Sequence, residues 1–354
     1  MSQLPVELIK QRPIRFALVG CGRIAANHIK ALTAFPNEAD LVDICDVNRD
    51  ALQAVQQQMP VNIYADLEAL LERTTADVAI LATPSGLHAP QAIRCLSRGL
   101  HVVSEKPMAT LWQDGLAMVK AADDAQRLLF VVKQNRHNAT LQLLKQALET
   151  GRFGRIFMVT INVFWYRPQS YYDLASWRGT WQLDGGALMN QASHYVDLLT
   201  WLLGPVESVQ AYTATLARDI EAEDTGAVSI RWCSGALGSI NVTMLTYPKN
   251  FEGSITVIGE KGTVRIGGVA VNRIQHWEFS EPSLMDEQAK AASYDTNSVY
   301  GFGHTCYYKN VIDVFKGRTQ PYTDGKEGLK SLELLTAMYR SAKMGQKISL
   351  PLER

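Results

Sequence analysis

Residues 14–20 form a short, mostly apolar run that ends at glycine and passes directly into a G-x-G-x-x-A pattern made by Gly20, Gly22 and Ala25. A segment with helical spacing, 25–35, follows at once. Strand, glycine turn and helix in that order leave few folds open. Glycine at 20 permits the tight turn, glycine at 22 lets the backbone come close to a pyrophosphate, and Ala25 is small enough for helix to pack on strand. The free N–H groups at the helix start, around Arg23 and Ile24, and the positive end of its dipole suit an anion. A second strand-like run, 41–46, ends in Asp46, 24 residues past Gly22. A carboxylate there can accept hydrogen bonds from an adenosine ribose and would repel a 2′-phosphate. The expectation is a dinucleotide-binding domain that prefers NAD to NADP, with Arg49 pulling the other way. A glycine turn with no ligand is the plainer reading, and the agreement of four features in register weighs against it.

The same alternation continues. Strand-like runs at 77–83, 99–104 and 128–132 alternate with helical spacing at 49–58, 88–98 and 110–125, which implies βαβ units and a parallel sheet covered on both faces. After about residue 138 the rhythm changes. One amphipathic helix, 139–149, precedes β-rich stretches at 155–166, 206–216, 225–232, 236–245, 253–258, 262–266 and 275–279, with helical spacing at 186–203 and again at 325–343. The reading is an α/β Rossmann domain over 1–137 and an α+β domain over 138–354 with an open, largely antiparallel sheet for substrate binding and oligomerisation. The C-terminal helix is expected to return to the first domain.

The chain has 354 residues, enough for two such domains. Lys plus Arg is 35 and Asp plus Glu is 35, a balance that speaks against nucleic-acid binding. No run approaches the ~20 apolar residues of a membrane span. Five cysteines without C-x-x-C spacing give neither a disulfide framework nor a zinc site, and no metal is expected. A cytoplasmic protein with reduced thiols is the default.

Candidate chemistry clusters after the strands. Thr83, Pro84, Ser85 and His88 follow one strand and can line the cofactor crevice, although a proline turn and helix start would look the same. Glu105, Lys106 and Pro107 follow the next; a lysine there could exchange a proton with a substrate hydroxyl, or pair with Glu105 on the surface. Asn190, His194 and Asp197 stand at i, i+4 and i+7, one face of a helix. His194 has the intrinsic range, ~6.5, for proton transfer near neutrality, or is a buried histidine satisfied by Asp197. Tyr166, Arg167, Tyr171, Tyr172, Trp177 and Arg178 concentrate aromatic and guanidinium groups suited to a base, sugar or anion. The segment 300–304 is a closing loop or the start of a helix.

With GCGRIA at 20–25, Asp46, TPSGLH at 83–88, EKP at 105–107 and GGALMNQASHYVD at 185–197, the chain resembles the Gfo/Idh/MocA family of NAD(P)-dependent oxidoreductases over nearly its full length. The resemblance implies hydride transfer at a carbon bearing a hydroxyl, with Lys106 and His194 as the active-site pair. It also implies cofactor contacts from the glycine motif, Asp46, the 83–88 segment, Glu105, Lys106 and Gln134. Asn190 departs from the aspartate many members carry, so its role is hydrogen bonding rather than charge. Together with YYDLASWRGTWQLDGGALMNQASH at 171–194, it makes the chain similar to the UDP-N-acetylglucosaminuronate 3-dehydrogenases of bacterial lipopolysaccharide (O-antigen) biosynthesis. That likeness implies NAD-dependent oxidation of the sugar C3 hydroxyl to a 3-keto product. Arg136 and Asn190 would orient the sugar; Tyr166, Arg167, Trp177 and Arg178 would meet its carboxylate and nucleotide. Some such relatives re-oxidise NADH with 2-oxoglutarate, and a homo-oligomer, dimer or tetramer, is implied. A dehydrogenase of a free sugar, cyclitol or sugar acid and a non-catalytic NAD-responsive binding protein are the competing readings.

Overall fold

The computed structural model describes residues 8–296 and 303–353. By its contacts the chain forms two compact units, Met1–Lys133 with His304–Leu332, and Gln134–Gly303 with Glu333–Arg354. His304–Leu332 thus belongs with the first unit, although it follows the second in sequence.

In the first unit, strands β1 (Ile14–Val19), β2 (Ala39–Cys45), β3 (Asn62–Tyr64), β4 (Val78–Leu81), β5 (His101–Ser104) and β6 (Leu129–Val131) form one sheet of order β3-β2-β1-β4-β5-β6. Every pairing is parallel. Helices α1 (Ala25–Thr33), α2 (Arg49–Gln56), α3 (Leu67–Arg73), α4 (His88–Ser97) and α5 (Trp112–Ala125) supply the crossovers. β4 and β5 are buried at all positions, as parallel strands covered on both faces must be. Val19 pairs with Cys45 and with Leu81, and Leu81 pairs with Ser104. The residues just beyond, Gly20, Asp46, Ala82 and Glu105, therefore emerge at one edge, the carboxyl end of the sheet. The strand order reverses between β1 and β4 there, which is where ligands of such sheets bind. A returning helix completes the core: Tyr308 meets Phe16 edge-on at 6.0 Å between centroids, and Phe315 lies 5.9 Å from Phe130.

In the second unit, helix α6 (Ala139–Glu149) leads into β7 (Ile156–Phe164), a short helix α7 (Gln169–Tyr172), α8 (Ser193–Leu203), β8 (Val206–Ala214), β9 (Thr225–Trp232), β10 (Leu237–Thr243), β11 (Glu252–Gly259), β12 (Gly262–Gly267), β13 (Arg273–Phe279) and α9 (Leu284–Ala291). Helices α10 (Gly303–Phe315) and α11 (Gly325–Met344), then β14 (Ile348–Ser349), end the chain. The eight-stranded sheet has the order β13-β12-β11-β7-β10-β9-β8-β14. All its pairings are antiparallel except β7 with β10, which run parallel, so the sheet is mixed though mostly antiparallel. β9 alternates buried and exposed, the mark of a sheet with one covered face. Among the described residues no helix is long and apolar enough to cross a membrane.

Candidate active site

The glycine turn is built as the spacing requires. Gly20 has φ +95°, and a Cβ on it would lie 2.7 Å from the Ala82 carbonyl carbon and oxygen, so no other residue fits. A Cβ on Gly22 would meet nothing within 4 Å: the space over that backbone is open to a ligand. Ile24 precedes α1 and no side chain caps the helix start, so none competes with an anion there; the Ala25 and Asn27 N–H groups meet the Gly22 and Ile24 carbonyls, each at 3.0 Å. Arg23 beside it is exposed. Asp46 accepts from the Cys21 N–H at 2.6 Å and the Asn48 N–H at 2.8 Å. These bonds hold its carboxylate beside the turn with acceptor capacity to spare for a ribose diol. The Cys21 thiol, between burial and Asp46, is pushed up to about 12 and stays protonated. These features fit a dinucleotide.

The next two loops are tied together by His88. Its Nε2 stands 2.9 Å from the Thr83 carbonyl and its Nδ1 2.9 Å from the Pro107 carbonyl. Carbonyl oxygens only accept, so the neutral ring can donate to one of them at a time. Burial lowers the His88 pKa, opposed by the Pro107 carbonyl and by Glu105. Thr83 Oγ1 donates to Gln91 Oε1 at 2.6 Å, Pro84 precedes a 3-10 turn over Ser85–Leu87, and Ser85 is buried. Lys106 is half-buried, joined to Pro107 by a cis peptide, and its N–H donates to Glu105 Oε2 at 3.0 Å. Glu105 Oε1 lies 3.2 Å from His28 Nε2 and 3.7 Å from His304 Nε2, all buried. Burial pushes the Glu105 carboxyl up, but the two imidazoles outweigh it and hold the group well below the usual carboxylate range. Residues 300–302 of the 300–304 segment lie outside the described residues; His304 itself stands in the first turn of α10.

In the second unit the polar residues of the 185–197 motif go to different partners. Ala187–Gln191 is a π-turn, and α8 starts afresh at Ser193. Asn190 therefore does not share a regular α-helix with His194 and Asp197, as the i, i+4, i+7 spacing suggested. Its side-chain amide donates to Asp184, which also accepts from the Gly179 N–H at 2.8 Å and so links Asn190 to the Trp177–Arg178 loop. Gln134 Nε2 lies 2.9 Å from His194 Nε2. With the amide in this orientation it donates, and the proton of the neutral ring sits on Nδ1. Asp197 takes a two-pronged ion pair from Arg136, Nε to Oδ2 and Nη2 to Oδ1, each 2.7 Å. Both side chains are 2% exposed. Arg136, expected from the sequence to meet the sugar, gives its Nε and Nη2 to that pair.

The aromatic–arginine loop is ordered by stacking. The Arg178 guanidinium lies 4.5 Å from the Tyr171 ring centre and 4.6 Å from that of Trp177. Arg167 lies 5.2 Å from Trp165 and 5.4 Å from Tyr171. Arg167 Nη1 donates to the Tyr166 carbonyl at 2.7 Å and to Asn250 Oδ1 at 3.0 Å, and the Tyr166 N–H shares that acceptor. The buried Arg178 Nε has no hydrogen-bond partner among the described residues, an orphan donor suited to an anion. Sequence reasoning missed Asn250, Asp184, and Arg218, whose Nε donates to the Arg167 carbonyl at 2.7 Å. They lie far off in sequence or carry no motif.

Among the described residues no group of three or more His, Cys, Asp or Glu is placed to hold a metal ion. Two family models match: an oxidoreductase-family NAD-binding Rossmann fold over residues 14–133 and an oxidoreductase-family C-terminal alpha/beta domain over 145–350. The chain is 64% identical to the WlbA dehydrogenase of Chromobacterium violaceum, solved with NADH and UDP-GlcNAcA, with TM-score 0.96 over 99% of this chain and 100% of that one. It is also 64% identical to the Bordetella pertussis WlbA dehydrogenase, solved with the same two ligands, with TM-score 0.95 over 98% and 100%. The myo-inositol 2-dehydrogenase of Thermotoga maritima is 26% identical over 95% of this chain and 98% of its own length.

Two outcomes test the site. Asp46→Ala should weaken NAD binding at least tenfold, about 1.4 kcal/mol, by titration calorimetry; unchanged affinity removes Asp46 from the ribose. Arg136→Ala should destabilise the ligand-free protein by about 3–5 kcal/mol, since it strands a buried carboxylate. A thermal melt that does not move would show that the pair does not hold the second unit together. From its matched domains and the build of its glycine turn, this chain belongs to the Gfo/Idh/MocA family and is an NAD-dependent oxidoreductase.

Proposed function

We propose that the protein oxidises the C3 hydroxyl of UDP-N-acetyl-D-glucosaminuronic acid to a 3-keto nucleotide sugar. The observation that carries this reading is 64% identity, over nearly the whole of both chains, to two dehydrogenases solved with NADH and that sugar nucleotide. NAD+ in the first unit would supply the hydride acceptor, held by Gly20, Gly22, the Arg23–Ile24 N–H groups and Asp46. Thr83, Pro84, Ser85, His88, Glu105 and Gln134 support it, directly or by fixing the loops that do.

The proton chemistry belongs to this chain's own side chains. Lys106 takes the hydroxyl proton as the C3 hydride leaves, and His194 stabilises the developing alkoxide. Asn190, carrying no charge, hydrogen-bonds a sugar hydroxyl. Arg178, with its orphan Nε, and Arg167 meet the uronate carboxylate or pyrophosphate, while Tyr166 and Trp177 border the nucleotide. Remote binding energy from the uridine nucleotide would then be used at the reacting carbon, so a substrate cut back to the free sugar acid should lose rate as well as affinity.

UDP-sugars and NAD share the cytoplasm, which is where we place the enzyme, as a homo-oligomer supplying precursors for lipopolysaccharide or another surface polysaccharide. The outer sheet face, with Met158, Thr160 and Asn162 on β7 and Leu237, Ser239 and Asn241 on β10, is the surface we assign to subunit pairing. Sedimentation should give a dimer or tetramer, and a monomer at micromolar concentration would sink that assignment. Disrupting the gene should shorten the surface polysaccharide of its host; an unaltered polysaccharide would move the enzyme to another pathway.

The decisive assay incubates the protein with NAD+, UDP-N-acetylglucosaminuronate and 2-oxoglutarate, with the sugar product identified by mass spectrometry and NMR. A 3-keto product is expected, and turnover without added fresh NAD+ would mark 2-oxoglutarate as re-oxidant. Oxidation of free sugars or cyclitols instead would overturn the nucleotide assignment; no oxidation of either class with NAD bound would favour a sensor. Lys106→Met should lower kcat by at least about 1000-fold with NAD affinity kept within about twofold. Retained turnover would remove the lysine from the reaction.

A further inference from the structure

The π-turn Ala187–Gln191, which carries Asn190 and delivers the chain to His194, has no local side-chain cap. Its first three N–H groups would be orphans in any helical turn. They are satisfied instead from two distant elements. The Ala187 N–H donates to the Glu223 backbone carbonyl at 2.8 Å, the Leu188 N–H to Glu223 Oε1 at 2.8 Å, and the Met189 N–H to the Tyr339 hydroxyl at 3.0 Å. The Tyr339 hydroxyl in turn donates to Glu223 Oε1 at 2.8 Å. A single carboxylate oxygen, on the residue two before β9, is thus the hub of the turn, reached by the Leu188 N–H and by the Tyr339 hydroxyl from α11.

This arrangement is costly. Glu223 is 2% exposed, and its Oε2 has no hydrogen-bond partner among the described residues. A buried carboxylate with a bare oxygen is unfavourable, whereas a serine or aspartate at the head of the turn would cap it cheaply. The sequence is also constrained to admit it: a Cβ on Gly186 would lie 1.8 Å from Glu223 Oε2, so the glycine is required by the carboxylate. π-turns concentrate at functional sites.

We propose that Glu223 and Tyr339 are positioning residues for the reaction: they hold the π-turn and so set where Asn190 and His194 stand. The proposal rests on the reading that His194 acts on the substrate. Burial pushes the Glu223 carboxyl up to about 7, against the pull of the Leu188 N–H and the Tyr339 hydroxyl, with Asp224 adding to the rise. Tyr339 and Asp224 are the titratable groups facing it. Burial disfavours the ionised form, but that form is the stronger acceptor, so the Leu188 and Tyr339 hydrogen bonds to it weaken as the pH falls through that value.

The test compares wild type, Glu223→Ala, Glu223→Gln and Tyr339→Phe by kcat from pH 6 to 9, by NAD affinity, and by the His194 ring signal in proton–carbon NMR. That signal is assigned as the one missing from His194→Ala. Glu223→Ala and Tyr339→Phe should each lower kcat about tenfold or more, leave NAD affinity within about twofold, and move the His194 signal. Glu223→Gln keeps an acceptor oxygen, so at pH 8 it should retain kcat within about threefold, and its activity relative to wild type should rise as the pH falls. If Tyr339→Phe and Glu223→Ala leave both kcat and the His194 signal unchanged, the proposal is wrong. Should Glu223→Ala not fold, Tyr339→Phe decides alone, since it removes only a hydroxyl. The NMR signal is read without substrate, so it stands or falls separately from the identity of the sugar.

Discussion

The second unit depends on one buried ion pair. Residues Gln134–His137 form a single 3-10 turn, too short to be stable by itself, and Arg136 from that turn forks onto Asp197 in the middle of α8. The Trp201 ring, one turn further along α8, lies 5.6 Å from the same guanidinium. Taking both charges out of water costs several kcal/mol, so the pair contributes less to net stability than to geometry. Two residues before Arg136 stands Gln134, and three before Asp197 stands His194; their contact at 2.9 Å follows from the pair. The contact between Gln134 and His194 is therefore tied to an interaction in which the histidine takes no part.

The first unit has a counterpart. Glu105 emerges from the carboxyl end of β5 into a fully buried position, a place where an isolated carboxylate would be neutral. His28 from α1 and His304 from α10 flank it, and the His28 ring is backed by the Tyr308 hydroxyl at 2.7 Å from Nδ1. The two imidazoles hold Glu105 below its ordinary range against its burial, while burial in turn lowers the His28 pKa. Glu105 Oε2, kept ionised in this way, receives the N–H of Lys106. In each unit, then, a candidate catalytic side chain is adjacent to a buried, compensated charge.

Much of this was legible in the sequence, and the division between what was and was not has a physical basis. The glycine turn, Asp46 and the parallel order of the first sheet depend on local chemistry: φ at Gly20, backbone clearance at Gly22, runs buried on both faces. The edge strand β3 and helix α3 were missed because β3 has only three residues, two of them exposed, and shows no apolar pattern. The parallel pairing of β7 with β10 joins strands more than 70 residues apart and leaves no local trace. Helical spacing over 186–203 was correct in kind but hid the π-turn, since one extra residue per turn barely changes an apolar pattern. Asn190, His194 and Asp197 stand out by residue type, but the π-turn separates Asn190 from the helix that carries the other two. Their partners, Asp184, Gln134 and Arg136, could not be assigned, because each contact is decided by packing rather than by spacing.

The aromatic–arginine loop shows why such packing matters for specificity. Free arginine side chains carry about 2 kcal/mol of rotamer entropy, which an anion would have to overcome on binding. Here that entropy is already lost: Arg178 is held between Tyr171 and Trp177, and Arg167 is fixed by Asn250, by the Tyr166 carbonyl and by two rings. Asp224 extends the support, accepting the N–H groups of Leu216, Ala217 and Arg218, the last of which anchors the Arg167 carbonyl. A preformed cationic surface gains affinity by avoiding reorganisation rather than by adding contacts. It also discriminates, because a ligand without an anionic group would leave the orphan Arg178 Nε buried and unsatisfied. On the proposed reading, selectivity for a charged, extended substrate over a neutral sugar would come from the unliganded loop, whose rings and backbone already fix Arg167 and Arg178.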